Sequence, residues 1–237
     1  MPVSKRKNPV ALTNTTSRST KSHKSAYIAS VRESIDDHSS LYLFSYTNMR
    51  SNHFKNVRMH FRETQDKDDM NDSDEGVGGG RILLGKNKLL QVALGRNEAE
   101  EYATNLGRVS TMITGNVGLI MTNQSREEVV KYIQNYSVDD FARAGSIASR
   151  SVTISNAEVV NFPVSMVEQF RKLGMAVDVK NGSVKLTTGE TYTICKEGQT
   201  LTAEACRLLV HFGIKLAEFK IKLICRWDKN TEDLEEF

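Results

Sequence analysis

The sequence predicts a layered α/β protein, and three observations carry that prediction. Short runs rich in β-branched and aromatic residues alternate with segments whose apolar residues recur every three or four positions. Turn signals such as Gly115-Asn116 and Asn181-Gly182 separate them. With 237 residues and 39% hydrophobic content, the chain is long enough for one large domain or two small ones, each with its own core.

Taken in order, Tyr27, Ile28, Val31 and Ile35 fall at helical spacing, and Leu41 to Tyr46 follow as an aromatic-rich strand. From Met49 to Phe61 the apolar positions Phe54, Val57 and Phe61 line one helix face, with Arg50, Lys55, Arg58 and Arg62 on the other. Residues 65–80 carry acids, Asn, Ser and three consecutive glycines, which support neither a core-facing stripe nor an alternating strand, so this stretch reads as a loop. A short strand over Arg81 to Leu84 leads into a helix from Lys86 to Leu94, and a second, Glu-rich helix is expected over about Asn97 to Met112. Val117 to Met121 reads as a buried strand and Ser125 to Tyr136 as an amphipathic helix.

Beyond Tyr136 the rhythm changes. Asp139 to Gly145 reads as a connector, Val152 to Ile154 as a strand and Ser165 to Leu173 as a helix. Val177 to Val179 and Ser183 to Leu186 form a hairpin around Asn181-Gly182, because Asn and Gly both tolerate the positive φ of a tight hairpin turn. Tyr192 to Cys195, a helix from Thr202 to Phe212 stopped by Gly213, and a strand from Phe219 to Trp227 complete the expected elements. An acidic tail, residues 229–237, follows.

Charge is distributed more tellingly than the formal net of +3 suggests. The first thirty-two residues hold seven Lys or Arg (Lys5, Arg6, Lys7, Arg18, Lys21, Lys24, Arg32) and no acid. Asp66 to Glu75 holds six acids and one Lys, and Asp228 to Phe237 five acids and one Lys. A basic Ser/Thr-rich arm over residues 1–24 buries too little apolar area to order itself, so it is expected to stay disordered until phosphates neutralise it. Nucleic acid is therefore the first partner class to consider. No run approaches the length of a membrane span, and the start lacks the apolar stretch of a secretory signal. Cys195, Cys206 and Cys225 are odd in number and set in apolar surroundings, as expected of reduced, buried thiols.

The candidate chemistry is mostly negative. Gly80 to Asn87 matches phosphate-loop spacing except that Asn87 stands where Ser or Thr would ligate magnesium, and Ile82 to Leu84 read as a strand whose N–H groups belong to a sheet. What survives is a strand ending at Gly85 with a helix beginning at once, which gathers helix N–H groups with Lys86 and Lys88 into a phosphate-binding corner. The acids of residues 66–75 fail the calcium-loop pattern at Met70 and Asn71. His23, His53, His60 and His211 have no metal or dyad spacing, and no Gly-x-Ser-x-Gly elbow occurs, so neither catalytic residue, metal nor cofactor is expected.

Several segments then carry a family resemblance: Met1 to Arg6, Asn48-Met49-Arg50, Gly85 to Lys88 with Val92 to Arg96, Ala142 to Gly145, Phe162-Pro163 with Ser165-Met166, Cys195 to Gly198, and Ala217 to Lys220. In this order they resemble the ribosome-assembly branch of the ribosomal stalk-base protein family. The resemblance implies an α/β sandwich rRNA-binding domain, residues 25–142 and 214–228, interrupted by a smaller α+β inserted domain at 143–213. It implies a nucleolar and nuclear protein that also shuttles to the cytoplasm. Its partners would be the stalk-base rRNA and the neighbouring proteins of the large-subunit precursor, and it would hold that place until the stalk protein replaces it. The chain ends ten residues after Trp227, where the stalk protein continues into its GTPase-recruiting part. Phosphates and sugars of the rRNA are expected to meet Lys86, Asn87 and Lys88, with Arg50, Lys55 and Arg58 of the basic helix, and Lys5, Arg6, Lys7, Lys21 and Lys24 of the arm. Rival readings are a stalk-base protein resident in mature large subunits, and an RNA-processing enzyme of mRNA turnover, for which no carboxylate or His cluster is found.

Overall fold

A computed structural model describes residues 21–63, 80–97, 99–187 and 189–237. These fall into two compact units. One is built from the described residues up to Ser45 and those of Arg58–Ser125 and Leu223–Phe237, the other from Tyr46–Val57 and the described residues of Arg126–Lys222.

The first unit is a sheet with helices packed on it. It contains α1 (Lys21–Asp37), most of β1 (Ser40–Thr47) and the second half of α2 (Ser51–Glu63). Then come β2 (Arg81–Leu83), α3 (Asn87–Leu94), α4 (Leu106–Thr111) and β3 (Val117–Thr122). β1 and β2 both pair antiparallel with β3, with Leu43 and Leu83 each opposite Leu119. Strand side chains alternate between faces. Leu41, Leu43, Val117, Leu119 and Met121 therefore join Val31 and Ile35 of α1, Leu90 and Leu94 of α3, and Leu106 and Val109 of α4 in one core. On the opposite face Tyr42, Phe44 and Ile120 are also fully buried. Gly118 is the one small residue in β3, and a Cβ there would stand 2.6 Å from both the Leu84 side chain and the Phe44 ring.

Between Leu94 and Leu106 the expected long helix does not form; only Leu106–Thr111 is helical. The reason is local. Gly95 adopts φ +105°, the Tyr102 N–H donates back to the Leu94 carbonyl at 2.9 Å, and Asn105 takes the left-handed conformation before α4 begins. The chain passes so close to Gly95 that a Cβ would lie 2.3 Å from Glu101 Cα. Glu101, counted toward helix by its propensity, instead accepts from the Gly107 N–H at 3.1 Å, engaging one of the donors left open at the helix start.

In the second unit α5 (Arg126–Asn135) leads into β4 (Ser137–Asp140), a strand where a connector was expected. β4 pairs with the first half of the long strand β9 (Ala217–Asp228), Val138 opposite Phe219. Its single apolar side chain hides it from pattern reading, because backbone pairing rather than an alternating apolar face holds it. The remaining elements are β5 (Val152–Ser155), α6 (Asn156–Val159), a 3₁₀ turn at Val164–Met166, α7 (Val167–Lys172), β6 (Val177–Lys180), β7 (Ser183–Leu186), β8 (Thr191–Cys195) and α8 (Ala203–His211). The helix expected from Ser165 thus starts two residues later, after the 3₁₀ turn. β6 and β7 close the expected hairpin, with Asn181 at φ 55° and Gly182 at φ 72°. A capping box at Ser155 and Glu158 starts α6, and the Thr202 hydroxyl caps α8 by accepting from the Ala205 N–H at 3.2 Å. Phe170, Ile154, Met175 and Leu209 lie at the centre of this unit's core, with Phe162, Phe170 and Phe212 in mutual ring contact.

The acidic tail contributes a strand of its own. β10 (Leu234–Glu236) pairs antiparallel with β9, so the first unit's strand order is β10-β9-β1-β3-β2. A tight turn brings it round, the Asp228 N–H donating to the Asp233 carbonyl at 3.1 Å. Backbone ladder bonds and the half-buried Leu234 outweigh the repulsion among exposed carboxylates, whose interaction is weak in water. The loop at 65–79 lies outside the described residues.

Candidate nucleic-acid interface

The strand-to-helix corner forms as its sequence suggests. β2 ends at Leu83 with its residues paired to β3, so the backbone that a phosphate loop would expose is engaged in the sheet. Leu84, Gly85 and Lys86 then turn the chain into α3, with Lys86 extended at φ −70° and ψ 128° as the residue before the helix. The Lys86 carbonyl accepts from the Leu89 and Leu90 N–H groups at 2.8 and 3.2 Å. No side chain caps this helix start, and the Lys86 and Lys88 side chains are exposed.

Two contacts set the corner's shape. Tyr27 of α1 lies over Gly85 so closely that a Cβ there would stand 2.3 Å from the phenol oxygen. This is why Gly occupies the position. Burial raises the Tyr27 phenol above its usual range, with Arg81 opposing the shift. Arg81 itself donates to Ser34 Oγ and Ser30 Oγ at 2.7 and 2.8 Å, which ties β2 to α1. Asn87 donates from Nδ2 to the Gly115 carbonyl at 2.9 Å, which fixes the start of α3 to the turn before β3. One N–H of its side-chain amide, expected to reach outward, is therefore engaged within the fold. Lys24, exposed on α1, precedes Tyr27 by three positions and so lies on the same helix face, one turn nearer the N-terminus. Sequence reasoning missed Tyr27 and Gly115 as the residues that set this corner.

The basic helix behaves differently along its length. Arg50 is not on it, since α2 begins at Ser51. The Arg50 guanidinium pairs with Asp140 at 2.8 Å and donates to the Phe141 carbonyl at 3.1 Å. His53 approaches the same carboxylate at 3.5 Å and stacks on Phe219. This is an internal cluster of the second unit. Lys55 and Arg58 are exposed, and Arg62 of the same helix is exposed as well. Lys5, Arg6 and Lys7 lie outside the described residues, and Lys21 is the first residue of α1, so the last turn assigned to the arm is helical.

All three cysteines are buried and free of disulfides. Burial pushes the Cys225 thiol up to about 12 and raises Cys206. Among the described residues no group of His, Cys, Asp or Glu could hold a metal, and no helix is long and apolar enough to cross a membrane.

Two family models match. One is Ribosomal protein L10, over residues 19–138, and the other is the insertion domain of its 60S ribosomal form, over residues 142–214. The chain belongs to the ribosomal protein L10 family. Within the family its full-length likeness is to assembly factors. It is 34% identical to the ribosome assembly factor mrt4 of Neurospora crassa, over 100% of this chain and 93% of that one. To the ribosome assembly factor mrt4 of Schizosaccharomyces pombe it is 32% identical, over 99% and 95% respectively. The large ribosomal subunit protein uL10 of Thermococcus gammatolerans is 22% identical over 65% of this chain and 45% of its own length. The chain is thus a non-enzymatic L10-family protein of large-subunit biogenesis, paralogous to uL10.

Proposed function

We propose that the protein occupies the stalk base of the large-subunit precursor by binding rRNA there, and that the ribosomal stalk protein later takes its place. The observation that carries the reading is the corner at Gly85. An uncapped helix start and two exposed lysines, with Lys24 on the adjoining helix face, form a cationic spot suited to a phosphate backbone. Lys24, Lys86 and Lys88 make the phosphate contacts in this proposal, joined by Lys55, Arg58, Lys21 and the Lys5-Arg6-Lys7 cluster. Arg50 and Asn87 keep their contacts within the fold and hold the surface in shape. Residues 143–213 act as the inserted domain and residues 25–142 with 214–228 as the rRNA-binding one. The protein works in the nucleolus and nucleus and shuttles to the cytoplasm.

Crosslinking the tagged protein to RNA in cells, with sequencing of the recovered fragments, tests this. Recovery of the stalk-base segment of large-subunit rRNA from nuclear precursor particles is expected. Recovery mainly from translating polysomes would instead assign it to mature subunits, and recovery of mRNA without rRNA would refute the placement.

A further inference from the structure

The first unit carries a second surface feature with the opposite charge. An open groove of about 780 Å³ runs along α1, with Ile28 and the Tyr102 ring among its lining residues and Arg32, Glu33, Asp36 and Asp37 around them. That volume falls in the range of ligand-binding clefts. Arg32 lines the groove but has its guanidinium engaged within the fold. Its Nε donates to the Ala93 carbonyl at 3.1 Å, one Nη donates to the Val92 carbonyl at 3.5 Å, and its guanidinium carbon lies 4.9 Å from the centre of the Tyr102 ring. These are carbonyls of the last turn of α3, where a cation is favoured. The Tyr102 hydroxyl donates to Asp36 Oδ2 at 2.6 Å, which fixes both the ring and that carboxylate. Glu33, Asp36 and Asp37 are exposed, and no ion pair among the described residues engages them.

We infer that this groove docks a basic peptide segment of a partner protein, an Arg- and Lys-rich stretch with at least one apolar side chain. The apolar lining takes the apolar residue, and the carboxylates take guanidinium groups, whose planar fork pairs with a carboxylate at two points. Charge complementarity selects this occupant. A nucleic-acid backbone would meet three carboxylates, and the groove's own cation is occupied by carbonyls. The groove uses neither Lys86 nor Lys88, and its acids lie at the end of α1 away from Lys21 and Lys24.

The test is fluorescence anisotropy of a labelled octapeptide of Arg, Lys and Leu with the full-length protein, wild type against the Glu33→Gln/Asp37→Asn double variant. Both positions are exposed, so the variant should fold, and matching thermal unfolding verifies it. Binding of the peptide weakened about fivefold or more by the double variant, with the loss shrinking at high salt, is the expected result. Equal affinity for both proteins would overturn the inference. So would unchanged peptide binding with tighter binding of an RNA hairpin, which would make the acids a repulsive border only. A third arm uses Lys5→Gln/Arg6→Gln/Lys7→Gln in the full chain. If those changes alone tighten peptide binding about fivefold, the groove's occupant is the protein's own basic arm and the partner reading fails. A self-association that the double variant abolishes would likewise replace the peptide with a second copy of the chain.

Discussion

Arg50 and Lys86 are both basic residues beside the start of a helix, yet the structure gives them opposite work. Arg50 is held by Asp140 and the Phe141 carbonyl in the second unit, whereas Lys86 leaves its ammonium group exposed at an uncapped helix start in the first. A basic residue in sequence is thus a charge available to a partner only if no carboxylate or carbonyl folds against it. β4 makes the difference, since it brings Asp140 to Arg50 and its polar sequence gives no sign of a strand.

The contrast can be broken most sharply at Arg50. Arg50→Ala leaves the Asp140 side chain, 14% exposed, without its guanidinium, and should lower unfolding stability by about 2–3 kcal/mol in urea titration while leaving the salt slope of RNA binding unchanged. An RNA defect with unaltered stability would place Arg50 at the interface after all. The corner depends instead on backbone fit. Gly85→Ala pushes a methyl against Tyr27 and should cost about 1–3 kcal/mol, read by the same titration. Adding Tyr27→Phe should recover part of that loss, because the contact at 2.3 Å is to the hydroxyl, although the next carbon at 2.8 Å remains close.

A smaller effect tests the core that supports the corner. The Cys225 thiol is pushed up to about 12 by burial, from an ordinary value of 9.0. Its proton is therefore held more tightly in the folded chain. The resulting stability is fully present below about pH 9 and is lost as pH rises toward 12. Stability should fall by about 1 kcal/mol from pH 8 to pH 10 through this group, a decline that Cys225→Val removes. Least of all, Tyr27→Phe alone should leave stability unchanged or raise it by up to about 1 kcal/mol, since the hydroxyl it removes is buried with no hydrogen-bond partner among the described residues.

Much of the fold is legible in the sequence because its signals are local. The Asn181-Gly182 turn, the Phe54, Val57 and Phe61 stripe and the buried run of β3 each declare themselves within a few residues. Two of the failures share a cause in long-range pairing. β4 and β10 exist because β9 offers them backbone partners, and neither has an alternating apolar pattern of its own. The helix expected after Asn97 rests on Glu propensity and takes no account of the fold-back against Gly95. At the corner, Lys86 and Lys88 are visible as a strand-to-helix junction. The engagement of Asn87 by Gly115 and the cover of Tyr27 over Gly85 need the packed structure, since each joins segments distant in sequence.

The central claim is that the Gly85 corner is where this protein meets RNA, and binding of stalk-base rRNA across a salt series tests it most directly. Lys86→Ala/Lys88→Ala should weaken binding about tenfold at moderate salt and reduce the slope of log affinity against log salt by about two counterions' worth, with thermal unfolding unchanged. The same affinity and slope as wild type would contradict the account.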